Sequence, residues 1–145
     1  MYKHVLLPTD GSPLSERAVI QGVELARHFG ARLTALHVSP KFHVLTYRAD
    51  MLEETRTAYE EDSKAHAERH LAFVSTTAEK SRVPCRTVRV QSDDVARAIL
   101  DLVQAESCDL VVMASHGRKG VARLLLGSET HQVLVQSTVP VLVCR

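Results

Sequence analysis

The chain has 145 residues, 45% of them apolar and 24% charged, and a formal net charge of +1. That length supports one domain with a real core and is too short for two ordinary ones, and the balance excludes a disordered or membrane-embedded chain. A nearly neutral molecule has no long-range field for polyanions, so nucleic-acid binding through bulk charge is excluded too.

Residues 5–8 are an apolar run bounded by Thr9, Asp10, Gly11 and Ser12, which reads as a buried strand and a turn. Ser12 suits a helix N-cap and Pro13 the first helical position. Ala18, Gly22, Leu25, Ala26 and Phe29 then mark one helical face, and Gly30 ends the helix in the left-handed conformation. Residues 32–38 are the second strand, and residues 41–49 show no period. From about residue 50 to 82 the chain is charged and rich in helix formers, with a weak stripe through Met51, Ala58, Ala65, Leu71 and Ala72. This predicts one long surface helix, or two pieces of one, stopped by Pro84.

Residues 85–90 alternate as an edge strand with one wet face would. Ser92, Asp93 and Asp94 start the next helix, whose buried face runs through Val95, Ala98, Ile99, Leu102 and Val103. Residues 110–114 are apolar on both faces, the mark of a central parallel strand. A short helix over 129–136 and a last strand over 139–144 complete the alternation. The fold class is therefore α/β, a single doubly wound domain over 1–145, with a five-stranded parallel sheet in the order 3-2-1-4-5 and helices on both faces.

In such a sheet the ligand crevice opens beyond the carboxyl ends of the strands, where the order reverses. Strands 1 and 4 flank that point, and their ends carry Pro8 to Gly11 and Met113 to Gly117. The loop after strand 4 holds Gly117, Gly120, Arg118, Lys119 and Arg123, and it closes on Gly127 and Ser128 at a helix start. Glycine amides, a helix N-terminus and nearby cations together make an anion site, with phosphate as the guest.

With these residues in hand, the chain resembles the universal stress protein family, the UspA-like domain. His4 to Ser12, Leu36 to Val38, the glycine loop and Val139 to Val143 carry the resemblance, which covers the chain apart from residues 41–82. The family's nucleotide signature is Gly, two residues, Gly, nine residues, Gly, then Ser or Thr. Gly117, the nine residues after it, Gly127 and Ser128 fit, while Ala114 stands at the first glycine, one methyl group larger. The resemblance implies ATP or another adenine nucleotide as ligand, with or without Mg. Asp10 and the Val38 backbone would face the base and ribose, Met113 and Ala114 would line the same pocket, and Pro8 and Thr9 would belong to the nucleotide site. His116, Gly117, Gly127, Ser128 and the Glu129 amide would surround the phosphates, with Arg118 adding positive potential.

Simpler readings stand beside these. Asp10 also suits a plain turn before a helix. His66 and His70, four apart on a helix, lack a third ligand and read as surface histidines, so no metal site is expected. No Gly-x-x-x-x-Gly-Lys-Ser/Thr and no Gly-x-Gly-x-x-Gly is present, which argues against P-loop hydrolysis and a dinucleotide fold. We expect binding rather than catalysis, with a nucleotide-free interaction module as the alternative and a slow ATPase as a weaker one.

The last strand carries Val139, Val141 and Val143 on one side and Leu142 and Cys144 on the other, so a homodimer through this open edge is expected, as in the family. The chain runs straight into its first strand, and no apolar stretch approaches the ~20 residues that span a bilayer. The odd set Cys85, Cys108 and Cys144, with no CxxC pair, reads as reduced thiols. A cytoplasmic protein without membrane partners is expected.

Overall fold

Strands and helices alternate through β1 (His4–Pro8), α1 (Pro13–Phe29), β2 (Arg32–Ser39), α2 (Ala49–Lys80), β3 (Cys85–Gln91), α3 (Val95–Ala105), β4 (Leu110–Ala114), α4 (Ser128–Gln136) and β5 (Val141–Cys144). The computed structural model describes residues 1–43, 49–117 and 125–145, with side chains of 49–53 left aside. The five strands form one parallel sheet in the order β3-β2-β1-β4-β5, as the alternation predicts.

Local chemistry sets the element ends. The Ser12 side chain accepts from the Ser15 amide, Pro13 opens α1, and Gly30 closes it at φ 63°. The Asp94 side chain accepts from the Arg97 amide and starts α3. β5 begins two residues later than the apolar pattern suggests, because Pro140 has no N–H for the ladder.

Period-two alternation sorts the core into two layers. Val5 and Leu7 of β1, Leu33 and Ala35 of β2, and Val112 and Ala114 of β4 pack with α1 and α2 through Val19, Val23, Leu71 and Val74. Leu6, Leu36, Val111 and Met113 face the other way, onto Ile99 and Val103 of α3 and Val133 of α4. Each fully buried Leu or Val contributes about 1.5–3 kcal/mol of transfer free energy.

The stripe expected along α2 is corrected. Ala58, Ala65 and Ala72 are exposed, whereas Ala67, Leu71, Val74 and Ala78 are buried against the sheet. Among the described side chains, those of the second half of α2 lean on the core, and the sparse apolar residues of its first half carry no phase information. Met51 lies outside the described side chains. Among the described residues, no helix is long and apolar enough to cross a membrane.

The three thiols are free, with Cys108 and Cys144 buried and Cys85 half-buried on edge strand β3. Burial pushes all three upward, Cys108 to about 11.

His4 is 3% exposed, its Nε2 2.8 Å from Thr34 Oγ1 and its Nδ1 3.0 Å from the Glu106 carbonyl oxygen. Burial, reinforced by the Arg32 charge, lowers its pKa from the ordinary 6.5. The unfolded chain therefore takes up a proton that the folded one refuses. The stability contributed by neutral His4 is complete above pH 6.5 and falls as the pH drops through that value toward the lower folded one. Urea unfolding of the parent and of His4→Asn across this window will show a shallower pH slope in the variant.

Candidate functional site

At the end of β1 the Thr9 amide donates to the Leu36 carbonyl at 2.9 Å, extending the ladder one residue past Pro8. The chain then turns through Gly11 at φ 75°, a left-handed conformation that favours glycine. Asp10 Oδ1 accepts from the Ser12 amide at 2.9 Å, so this carboxylate does shape the helix entry. Its Oδ2 lies 2.5 Å from where a Cβ on Gly117 would stand. The Asp10 side chain thus has one oxygen on the turn, as the plain-turn reading expects, and the other toward Gly117.

β2 outruns β1. The Leu36 carbonyl points at Thr9, and period two aims the Val38 backbone the same way, beyond the last paired residue of β1. Among the described residues, Val38 has no strand partner on that side. Its side chain belongs to the α3 layer.

Met113 and Ala114, 6% and 7% exposed, end β4 with their side chains on opposite faces of the sheet. The Ala114 methyl group sits in the α1 layer with Leu7 and Cys144, on the face of the sheet opposite Val38. Its strand conformation makes no demand for positive φ, so alanine fits where the family signature has glycine.

Beyond β4 the chain exposes Gly117 and half-buries His116, whose Nδ1 is 3.2 Å from Ser115 Oγ. Gly127 returns against this turn: its amide donates to the Ser115 carbonyl at 2.8 Å, and a Cβ there would lie 3.1 Å from His116 Cα. Close backbone approach, rather than a free N–H, is what Gly127 supplies. It is also the N-cap of α4 and has no side chain to cap with. Among the described residues, the Ser128, Glu129 and Thr130 amides have no acceptor, which leaves an open helix N-terminus next to Gly127. Thr130 Oγ1 donates to the Ala114 carbonyl at 2.9 Å and ties α4 to β4. The Glu129 carboxylate accepts from Ser128 Oγ at 3.0 Å.

Pro8, Thr9, Asp10, Val38, Met113, Ala114, His116, Gly117, Gly127, Ser128 and Glu129 therefore gather at one rim of the sheet. Arg118 lies outside the described residues, as do Lys119 and Arg123. Two histidines join this rim that the sequence does not assign to it. His37 Nδ1 is 2.9 Å from the Thr9 carbonyl oxygen. The His70 ring covers Gly11, where any Cβ would collide with it, and its centroid lies 5.2 Å from that of His37. The surface reading of His70 is thus corrected: α2 delivers it onto the Asp10 turn. Among the described residues, no three His, Cys, Asp or Glu side chains are grouped to hold a metal ion.

Comparison with known proteins places this arrangement. A universal stress protein of Thermus aquaticus is 31% identical over 145 residues, covering all of both chains. The solved structure of protein MJ0577 superposes with a TM-score of 0.80 at 25% identity, covering 99% of this chain and 96% of that one. A universal stress protein solved in complex with cAMP gives a TM-score of 0.73 at 25% identity, over 99% and 97% of the two chains. More distant chains, from Archaeoglobus fulgidus with dAMP and Arabidopsis thaliana with AMP, share the fold at 16% and 17% identity and TM-scores of 0.72 and 0.68. The family model described as "Universal stress protein family" matches residues 1–145. This chain belongs to the universal stress protein family.

Proposed function

We propose that this protein binds an adenine nucleotide at the β1–β4 rim and acts through occupancy rather than turnover, as a single stress-response module working in the cytoplasm. The observation that carries the reading is the contact of Asp10 with Gly117 beside the open start of α4, two distant chain segments meeting at one crevice. In this reading the Val38 backbone receives the adenine edge, with Met113 and Ala114 as floor. Asp10 Oδ2 takes the ribose, and Gly117 with the Ser128 and Glu129 amides takes the phosphates. Mg2+ would arrive bound to the phosphates of ATP. The cAMP, AMP and dAMP held by related proteins support a base-ribose-phosphate ligand. Occupancy shifts the loop after β4 only through a difference in affinity between its states.

Isothermal titration with ATP, ADP and AMP tests the proposal. Heat is expected with the parent protein and none with Gly117→Val, whose side chain would strike Asp10. Folded parent protein silent at millimolar nucleotide would defeat the reading. One observation favours a nucleotide-free interaction module: the Glu129 carboxylate bonded to Ser128 Oγ already sets negative charge at the helix start. On that reading Gly117→Val changes stability alone.

The same proposal includes a homodimer through β5. This strand lies at the sheet edge, and Leu142 on it is 42% exposed, with Leu134 and Val135 of α4 at 46% and 68%. Light scattering at micromolar concentration should give twice the chain mass; a monomer mass contradicts it.

A further inference from the structure

Beneath α2, at the carboxyl ends of β2 and β3, buried hydrogen-bonding groups have no partner. Among the described residues, Arg89 Nε and Nη2 and Ser39 Oγ are shielded from solvent and make no hydrogen bond. Ser39 is 1% exposed, and Arg89 is half-buried on edge strand β3. Register pairs Arg89 with His37 and Gln91 with Ser39. Alternation turns Arg89, His37 and Ser39 to the α2 side, while Val38, Val88 and Val90 turn to the α3 side. The sheet therefore separates this cluster from the Met113 and Val38 side chains, while Ala114, two strands away on β4, shares its face.

The identity of the orphaned atoms is informative. Nε and Nη2 form one edge of the guanidinium, the edge that presents two parallel N–H bonds and matches an oxyanion in bidentate fashion. A guanidinium stays charged at any physiological pH, so it cannot escape burial by losing a proton. Neither β2 nor β3 contains an aspartate or glutamate. Of the acids on α2, Asp62 and Glu68 are spent on His66 and Lys64 at the surface. A buried donor pair with no hydrogen-bonded acceptor among the described residues calls for one from outside.

We infer that Arg89 and Ser39 form a second anion site, for a small tetrahedral oxyanion of the phosphate or sulfate kind entering at the open β3 edge. Arg89 binds two oxygens through Nε–H and Nη2–H, and the Ser39 hydroxyl donates to a third. The site does not depend on nucleotide binding, and its test keeps the two apart.

The experiment is titration of inorganic phosphate, and separately sulfate, into the Gly117→Val protein, in which the nucleotide loop is blocked. The readouts are the Arg89 Nε–H resonance, assigned with Arg89→Lys, and the thermal midpoint, with chloride at equal ionic strength as control. Saturable movement of that resonance and a raised midpoint are expected with phosphate and sulfate but not with chloride. Ser39→Ala should weaken binding about tenfold. Arg89→Met should remove the response while leaving the heat of ATP binding in the otherwise unsubstituted chain unchanged. A response that persists in Arg89→Met overturns the inference, as does one seen only when Gly117 is present, which would assign the anion to the nucleotide loop. Should Arg89→Met fail to fold, an Arg89 resonance unmoved by phosphate in the Gly117→Val protein overturns it equally.

Discussion

On the proposed reading of the rim, Gly11→Val will lose nucleotide binding and a large part of the stability together. The backbone at this position has φ 75°, a region that costs an L-residue roughly 1–2 kcal/mol and a β-branched one more. A side chain also has no room, because the His70 ring stands where its Cβ would go. Displacing a packed ring adds about 1–3 kcal/mol. The turn cannot relieve the clash alone, since Thr9 is fixed to Leu36 and the Ser12 amide to Asp10. Any adjustment therefore moves Asp10, the carboxylate assigned to the ribose. Urea unfolding and titration calorimetry read the two losses. Comparing Gly11→Ala with and without His70→Ala separates them: the double variant retains the backbone strain and sheds the collision. If Gly11→Val binds and unfolds like the parent, the account of this turn is wrong.

Leu7→Ala is the second large effect, and its cost is about 2–5 kcal/mol. Leu7 is fully buried at the centre of β1, where it fills the layer between the sheet and α1. Gly22 on α1 is glycine because of it: a Cβ there would collide with Leu7 Cδ2. The pair yields a sharper expectation than either residue. Gly22→Ala alone should destabilise, although alanine favours a helix interior over glycine by roughly 0.5–1 kcal/mol. In the Leu7→Ala background the same change should stabilise, because the new methyl enters the vacated space and the helix preference is no longer opposed. A double-mutant cycle from denaturant unfolding measures the sign reversal, and additive effects would show that the two residues do not share this space.

Much of the fold was legible because its signals are local. Ser12, Pro13 and Gly30 announce the ends of α1 within a few residues of where they act. Residues 110–114, apolar throughout, mark a strand covered on both faces, and that alone places β4 inside the sheet. Strand order followed from the alternation of elements and the handedness of crossovers. The rim followed from topology, which sets Asp10 and Gly117 at neighbouring strand ends. What escaped depends on distant partners. Nothing near His70 signals that Gly11 lies beneath it, and helical spacing with His66 suggests only a shared surface. The start of β5 was misplaced because apolar patterning ignores the missing N–H of Pro140. Gly127 was expected to offer its amide, but that amide is committed to Ser115, a bond visible only once the loop has closed.

The state of the thiols has a bearing on the conditions such a protein would meet. Peroxides and electrophiles react with the sulfur anion and hardly at all with its protonated form. With Cys108 held at about 11 and Cys144 raised as well, both out of contact with water, neutral solution leaves almost no nucleophile in the interior. Of the three thiols, half-buried Cys85 at the sheet margin is then the one an oxidant reaches first, and the two inner ones stay protonated within the framework that carries the rim.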